Sequence, residues 1–241
     1  RLSDWQDLIV TRSRTGNNVH FGGRISFDGK GHVFLSIGDR GERDDSQNLS
    51  NHAGSILRLN LDGSVPGDNP FVGQENALPE IWSYGHRNPQ GLFFNTQTGK
   101  LWAIEHGPRG GDEINLIEPG NNYGWPRISY GKEYWAPLKV GKGTHKEGME
   151  QPVKMYDPSI APSGLIQYQG ALFPDWQGKL ITGAMKLQHL NIITLDDNNE
   201  AVKEKRLLDT LNSRIRNVIE APDGALLIGT DGGQIYRISP K

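Results

Sequence analysis

The chain has 241 residues, of which 35% are hydrophobic and 22% charged, a balance typical of a globular domain. Its formal net charge of −2 argues against nucleic-acid binding, which usually needs a basic surface. It contains no cysteine, which excludes disulfides and thiolate metal sites, and no apolar run approaches the roughly 18 residues that a membrane-spanning helix needs. The 31 glycines and 14 prolines favour a turn-rich β protein over a helical one.

A pattern that recurs four times predicts the fold: a glycine-marked turn leads into a short apolar strand that ends at a glycine or a polar residue. The copies are residues 28–39, 99–107, 178–186 and 223–231. Predicted strands precede them at 24–27, 91–94, 164–168 and 217–220, and others follow at 56–61, 113–117, 191–195 and 234–238. Strand, turn, strand, loop and strand in repetition is typical of β-propeller blades. The uneven intervals indicate insertions between blades, the longest of them a solvated loop at 135–151.

The first candidate site residue is His20, which lies between a polar loop and the tight turn at Gly22 and Gly23. An imidazole, with an ordinary pKa of about 6.5, is suited to remove a hydroxyl proton at neutral pH. Asp39, at the end of the next strand, is placed to accept the other ring proton and fix the tautomer. A loop histidine with a local backbone partner is the alternative interpretation.

The most concentrated polar motif is residues 85–91, Gly-His-Arg-Asn-Pro-Gln-Gly. Its glycines permit tight backbone and its proline removes a backbone donor, so the segment is predicted to form a turn at a strand end. Turns of this kind present ligand-binding groups on a rigid scaffold. His86, Arg87 and Asn88 are therefore candidate binding residues.

The loop at 107–113 combines glycines, Pro108 and two acids. Such loops expose backbone carbonyls, which hard cations such as Ca²⁺ accept together with carboxylates. The spacing is not that of an EF-hand, and a glycine turn with solvated acids is the other interpretation.

Four cations are expected to converge if the blades share a central axis. Arg214 and Arg216 alternate on a predicted strand and so project to one face, Lys186 ends the third repeat strand, and Arg87 lies in the turn described above. In a near-neutral protein, four convergent cations imply a polyanionic ligand. Four unrelated surface cations, each paired with a nearby acid, fit the spacing equally well.

Taken together, these segments resemble the soluble PQQ-dependent aldose and glucose dehydrogenases, a family of sugar-oxidising quinoproteins. The resemblance extends over nearly the whole chain, from His20 to Ile238. The motifs that carry it are, in order, His20-Phe21-Gly22-Gly23-Arg24, Ile37-Gly38-Asp39, residues 85–91, Asp112-Glu113-Ile114-Asn115 and Asn122-Tyr123-Gly124-Trp125-Pro126. Each motif alone is modest, but the ordered set is specific.

The resemblance implies an all-β, six-bladed β-propeller, of which this chain would hold about four C-terminal blades within a single domain spanning residues 1–241. The start of the chain at Arg1 has neither an initiator methionine nor a signal-peptide pattern. We therefore expect a chain that is N-terminally incomplete and that need not be active alone. The family also implies a periplasmic or secreted protein, with no membrane span, that is a monomer or a homodimer.

The resemblance also implies roles for single residues. His20 would be the base that takes the C1 hydroxyl proton, Asp39 would orient it, and Arg87 would lie beside the reactive quinone carbonyl. Further cofactor-binding residues are implied at Asn88, Lys186, Arg214 and Arg216. The backbone carbonyls of Gly107 and Pro108 would bind a calcium ion, and Glu113 and Tyr123 match a second calcium site of some members.

The implied reaction oxidises the C1 hydroxyl of an aldose to a lactone, with hydride transfer to PQQ and an external electron acceptor. Residues 154–157 hold no tryptophan, where glucose-oxidising members wall the sugar pocket with aromatic residues, so we expect an open pocket and a broad aldose range. Two other functions stay open: a non-catalytic propeller binding module and a Ca²⁺-dependent lactonase-type hydrolase. The hydrolase would need a cage of carboxylates at the axis, whereas the residues expected there are mainly cationic.

Overall fold

The computed structural model describes residues 3 and 5–240, which form four antiparallel sheets. The first sheet comprises β1 (Gly22–Phe27), β2 (His32–Ile37), β3 (Ser55–Asn60) and β4 (Ile81–Tyr84). The second comprises β5 (Pro89–Asn95), β6 (Lys100–Glu105), β7 (Asp112–Ile117) and β8 (Lys154–Tyr156). The third comprises β9 (Pro162–Gln167), β10 (Leu180–Ala184), β11 (Leu190–Leu195) and β12 (Ala201–Leu207), and the fourth β13 (Ile215–Glu220), β14 (Leu226–Thr230) and β15 (Ile235–Ile238).

Within the described residues, helix is confined to short 3₁₀ segments. They span Arg43–Gln47, Pro174–Trp176 and Asp209–Leu211. None of the helices in the described part of the chain has the length and hydropathy to cross a membrane.

The predicted repeat corresponds to the sheets one to one. Each of its four copies contains the second strand of a sheet, namely β2, β6, β10 and β14, and the predicted flanking strands form the first and third strands. Within each sheet the strands pair in chain order, as in a meander. The expectation of an all-β chain is confirmed, and the arrangement of the sheets is consistent with a propeller-like fold.

The repeat in the sequence did not predict the outer strands β4, β8 and β12. The side chains of β12 are at most half-buried, and its sequence, Ala-Val-Lys-Glu-Lys-Arg-Leu, is polar, because one face meets water. β8 has only 3 residues. An apolar pattern marks strands that are buried on both faces, so it fails at the outer edge of a sheet.

The hydrophobic core lies between successive sheets. One cluster joins the second and third sheets around Trp102, Ile160 and Leu180, and another joins the third and fourth around Tyr168 and Ile215. The first strands of the sheets pack in series, β1 on β5, β5 on β9 and β9 on β13. These four inner strands line a central cavity of about 770 Å³.

Glu204 on β12 ties the third sheet to the second. Its carboxylate accepts hydrogen bonds from Asn191 Nδ2 and Arg206 Nε, both at 2.8 Å, and lies 2.9 Å from Lys154 Nζ on β8. Burial alone raises the pKa of this carboxyl group, but the hydrogen bonds from Lys154, Arg206 and Asn191 outweigh burial and bring the pKa to about 2.

We expect Glu204→Gln to lower the free energy of unfolding at neutral pH by about 1 kcal/mol, since the ion pairs are partly screened by solvent. A carboxyl group with a lowered pKa stabilises the fold above its ordinary pKa of 4.5 and loses that contribution as the pH falls toward 2. The difference between variant and wild type should therefore shrink over this range. Urea unfolding at several pH values measures this difference in free energy, and the exposed Glu200→Gln is the control. A difference between Glu204→Gln and wild type that does not change with pH would contradict the ion pairs of Glu204.

Candidate functional site

The candidate site contains two cavities, and the residues that line them differ from those of the central cavity between the inner strands. The larger cavity of these two, of about 320 Å³, lies where three inner strands begin. Its walls come from the segment before β1, the turn before β5, the loop between β6 and β7, the loop between β7 and β8, and the segments before β9 and after β10. The lining residues of chemical interest are His20, Arg87, Asn88, His106, Gly107, Pro108 and Lys186. β1, β5 and β9 thus start at the same end of the molecule, and the residues that precede them meet there.

His20 and Asp39 form a hydrogen-bonded pair, with His20 Nδ1 2.6 Å from Asp39 Oδ1. Asp39 Oδ2 accepts the indole N–H of Trp125 at 2.7 Å, and Oδ1 accepts the backbone N–H of Gly41 at 2.8 Å. Burial alone raises the pKa of Asp39, but the bonds from His20, Gly41 and Trp125 lower it overall, so the group is ionised at neutral pH. Because a carboxylate only accepts, His20 carries its proton on Nδ1, which leaves Nε2 as the basic nitrogen.

Gly38 is required where the backbones of His20 and Arg87 converge. A Cβ at this position would lie 2.1 Å from the carbonyl oxygen of His20 and 3.2 Å from that of Arg87. The next residue, Asp39, donates its backbone N–H to the Arg87 carbonyl at 2.8 Å. His20 has a φ of +50°, a conformation that few non-glycine residues adopt. The end of β2 therefore fixes the backbone at both residues.

The guanidinium group of Arg87 lies along the cavity wall. Its Nη1 donates to the carbonyl oxygens of His106 at 3.0 Å and Gly107 at 2.7 Å, and its Cζ is 5.2 Å from the ring centroid of Trp125. Arg87 is only 6% exposed, yet its buried Nε has no hydrogen-bond partner among the described residues. A buried donor without an acceptor is unfavourable. Arg87 is therefore suited to an oxygen-rich ligand.

Glu105, the last residue of β6, holds the turn that carries Arg87 and Asn88. Its Oε2 accepts their backbone N–H groups at 2.6 and 3.4 Å, while Oε1 lies 3.0 Å from Nδ1 of His86. His86 is fully buried and contacts Ser83 Oγ through Nε2 at 2.9 Å. His86 thus stabilises the turn through its contacts with Glu105 and Ser83, and it does not line the larger cavity.

Asp112, at the start of β7, holds the loop that follows Gly107. Its Oδ1 accepts the Gly107 N–H at 3.0 Å, and its Oδ2 accepts the Ser159 hydroxyl and the Ala161 N–H. A Cβ at Gly107 would lie 2.1 Å from the carbonyl oxygen of Gly111, so the loop is tightly folded. This packing places Gly107 and Pro108 at the cavity wall.

Glu113 and Tyr123, together with Glu105, line a small cavity of about 20 Å³. This volume holds one water molecule or one ion. This small cavity adjoins the larger one, since Arg87, His106, Gly107 and Pro108 line both. Burial, and then the charge of Glu105, raise the pKa of Glu113 well above its ordinary value. Among residues 3 and 5–240, no three His, Cys, Asp or Glu side chains form a cluster that could hold a metal. A cation here would therefore need backbone carbonyls besides Glu113.

Arg214 and Arg216 do not line the larger cavity. Nε of each residue donates to Asp231 at 2.7 Å, and these bonds lower the pKa of Asp231 to about 2. Arg214 also reaches the carbonyl oxygen of Met185, the neighbour of Lys186, at 3.5 Å. Pairing with a nearby acid thus describes both arginines in this structure, and their role as cofactor ligands stays a prediction.

Three residues of the site, Trp125, Glu105 and His106, had no role predicted from the sequence. Nε2 of His106 donates to the carbonyl oxygen of Pro162 at 2.7 Å. Burial lowers the pKa of His106, so the imidazole at the cavity wall is neutral. The sequence signal for Glu105 and His106 was their position directly before Gly107, whereas Trp125 is 86 positions from the Asp39 that it contacts.

Comparison with known proteins gives this site a context. The glucose / sorbosone dehydrogenase family matches residues 1–237. The aldose sugar dehydrogenase YliI of Escherichia coli is 44% identical over the whole chain, which spans 66% of that protein, and an uncharacterised Synechocystis protein is 40% identical over 99% of the chain and 60% of its own length. The chain thus spans about 60 to 66% of the length of these curated relatives.

Solved structures agree with these relatives. The soluble aldose sugar dehydrogenase of Escherichia coli, in its apo form, superposes with a TM-score of 0.95 at 39% identity and covers all of this chain and 70% of its own. The PQQ-bound aldose sugar dehydrogenase of Streptomyces coelicolor gives a TM-score of 0.72 at 29% identity over 92% of this chain and 62% of its own. The family resemblance found in the sequence motifs is confirmed.

We expect Glu105→Ala to lower the free energy of unfolding by about 3 kcal/mol, because it leaves the buried donors of Arg87 and His86 without an acceptor. Glu105→Gln should cost less, since the amide oxygen still accepts the Arg87 N–H and the amide N–H can donate to His86 once its proton moves to Nε2. Denaturant unfolding measures both variants, and ¹⁵N NMR of His86 reports the tautomer. Equal losses in the two variants, with no tautomer change in Glu105→Gln, would contradict the assigned role.

Proposed function

This chain belongs to the glucose/sorbosone dehydrogenase family, and on that premise we propose that it is a PQQ-dependent aldose dehydrogenase that oxidises the C1 hydroxyl of aldoses to lactones. The observation that carries the proposal is the pair of His20 and Asp39 at the same cavity as Arg87 and Lys186. A relative named as a quinoprotein glucose dehydrogenase, from Acinetobacter calcoaceticus and 28% identical, supports it. An external electron acceptor would then take up the reducing equivalents.

The residues of the larger cavity suit PQQ, whose three carboxylates need cationic partners. Lys186 and Arg87 line the cavity, and Nε of Arg87 is a donor that has no acceptor among the described residues. We also assign Asn88, Arg214 and Arg216 to cofactor binding. Hydrogen bonds to Asp231 fix the positions of the two arginines. When bound, PQQ supplies the hydride acceptor that no protein side chain provides.

His20 has the arrangement of a general base for the sugar hydroxyl. Its Nδ1 proton is held by ionised Asp39, so Nε2 is free to take the C1 hydroxyl proton. As that proton leaves, the imidazolium that forms is stabilised by the same carboxylate. Trp125 and Gly41 hold Asp39 in place and keep it from turning away.

We assign calcium to two places, because the residues there can supply the oxygen ligands that this ion needs. Gly107 and Pro108 lie at the cavity wall, and the Gly107 carbonyl already accepts from a cation, the guanidinium of Arg87. The half-buried Glu113 lines a cavity of ion size, and Tyr123 lines the same cavity. We assign the first pair to a cofactor-associated calcium and the second pair to a structural calcium.

We further propose that the four sheets are consecutive blades of one six-bladed propeller domain in the intact protein. The serial packing of β1, β5, β9 and β13 supports this, as does the share of each relative that the chain covers. We also propose that the protein is periplasmic or secreted and that it is a monomer or a homodimer.

Two other functions are less well supported. A lactonase-type hydrolase needs several carboxylates around one metal, and the described residues form no such cluster. A non-catalytic binding module has no need for a histidine base oriented by a buried carboxylate beside an anion-binding cavity. The retained pair of His20 and Asp39 therefore favours the enzyme.

The proposal predicts that the intact protein, loaded with PQQ and Ca²⁺, reduces a dye when aldoses are added. His20→Ala should lower kcat by about 10²- to 10⁴-fold, because the base is lost, while PQQ still binds. His32→Ala is a matched control, since His32 makes an equivalent 2.6 Å contact with Asp28 away from the cavity.

Three results would argue against this assignment. Loss of PQQ binding in His20→Ala would contradict its role as a base. No dye reduction with any aldose, despite bound PQQ, would exclude the dehydrogenase and leave the binding module. Lactone hydrolysis without PQQ would favour the hydrolase.

Lys186→Ala should weaken PQQ binding at least tenfold, since it removes a cation from the cavity wall. Fluorescence titration with PQQ measures the change, and Lys179→Ala, on the turn before β10 and not on the cavity wall, is the control. Salt should weaken the wild type more than the variant if the lysine contacts a carboxylate. Equal affinity in both variants would place the cofactor elsewhere.

A further inference from the structure

Polar residues and glycines make up most of the wall of the larger cavity, and Pro108, Ala161 and the ring of Tyr134 add apolar surface to it. Among the described residues that line this cavity, Tyr134 is the one Phe, Tyr or Trp. It is 65% exposed, although a ring of this size is usually well buried. An exposed aromatic face on a cavity wall marks a place where a ligand packs.

The backbone around Tyr134 is anchored on both sides. The preceding residue, Glu133, accepts two hydrogen bonds from the guanidinium of Arg43, at 2.6 and 2.9 Å, and its N–H donates to the Leu138 carbonyl at 2.8 Å. Lys132 is bridged to Arg109, next to Pro108 in the cavity wall. The loop is therefore fixed to the calcium-binding segment proposed above.

The anchor also connects to the proposed base. Cζ of Arg43 lies 5.5 Å from the ring centroid of Trp125, and the Trp125 indole bonds Asp39, which orients His20. A bidentate arginine–carboxylate contact holds geometry better than a single ion pair. Tyr134 is thus built onto the same framework that sets the position of His20.

Residues 154–157, where glucose-oxidising members of the family wall the sugar pocket, supply no aromatic side chain to this cavity. Tyr156 is 3% exposed, and its hydroxyl donates to Asn191 Oδ1 at 2.9 Å. Asp157 and Lys154 do not line the cavity. Among the described residues that line the cavity, an aromatic contact with a ligand therefore comes from the loop between β7 and β8, where Tyr134 lies.

We infer that Tyr134 is a specificity-determining residue whose ring stacks on the C–H face of the aldose while His20 and Arg87 face the C1 end. This inference rests on the proposed function, since it names how the same cavity holds its substrate. Pyranose rings present flat patches of C–H groups, and an aromatic ring covers such a patch without needing a particular hydroxyl pattern. A stacking contact of this kind tolerates many aldoses and rejects small acyclic alcohols.

The test compares Tyr134→Ala, Tyr134→Phe and Trp135→Ala in the intact protein loaded with PQQ and Ca²⁺. Trp135 is the matched control, because it is the adjacent aromatic, 77% exposed, and does not line the cavity. Tyr134→Ala should raise KM for glucose and for other aldopyranoses about tenfold, with kcat changed by less than about threefold. Tyr134→Phe and Trp135→Ala should stay near wild type, and PQQ affinity should be unchanged in all three.

Saturation-transfer NMR of glucose with the wild type and Tyr134→Ala gives a readout that does not depend on turnover. An unchanged KM in Tyr134→Ala, in an active enzyme, would overturn the inference, as would a Tyr134→Phe variant as impaired as Tyr134→Ala. If the wild type binds glucose without oxidising it and Tyr134→Ala loses the binding, the stacking contact stands and the dehydrogenase proposal falls. If the wild type neither binds nor oxidises aldoses, both fall.

Discussion

The candidate site depends on one constraint, which is that several inner strands begin at the same end of the molecule. β1, β5 and β9 each begin at the same end of the molecule, so the residues before them are brought together although they are far apart in sequence. Pairing within each sheet runs in chain order, so every new sheet returns the chain to this end. His20, Arg87 and Ala161 meet at one cavity for this reason, and no long-range motif is needed to collect them.

Convergence of strand starts leaves many backbone groups crowded at one place, and three buried carboxylates satisfy them. Asp39 accepts from Gly41, Glu105 from Arg87 and Asn88, and Asp112 from Gly107 and Ala161. A carboxylate is a strong acceptor for backbone N–H groups, and a buried N–H without a partner is costly. The acids therefore first fix the shape of the site, and of the three only Asp39 also contacts a side chain that takes part in the proposed proton transfer, that of His20.

Much of the fold followed from the sequence because the second strand of each sheet is apolar on both faces and begins at a glycine-marked turn. The pairing of His20 with Asp39 was also within reach, since the two residues frame one strand pair, β1 and β2. Trp125 was not, because its contact with Asp39 joins different sheets across a long loop. The sequence left open whether Arg214 and Arg216 pair with a nearby acid, and it did not identify Asp231, because spacing along a strand shows which face a side chain takes and not which acid lies beside it.

The adjacent acids Asp112 and Glu113 illustrate how strand alternation divides roles within one motif. Successive side chains of β7 point to opposite faces, so Asp112 turns to the Gly107 loop while Glu113 turns to the small cavity beside Glu105. Donors surround Asp112. Glu113 instead faces a second carboxylate, and its pKa rises. A cation in that cavity would relieve the repulsion between Glu113 and Glu105, and because Glu105 holds the turn with Arg87 and Asn88, it would also stiffen the wall of the larger cavity.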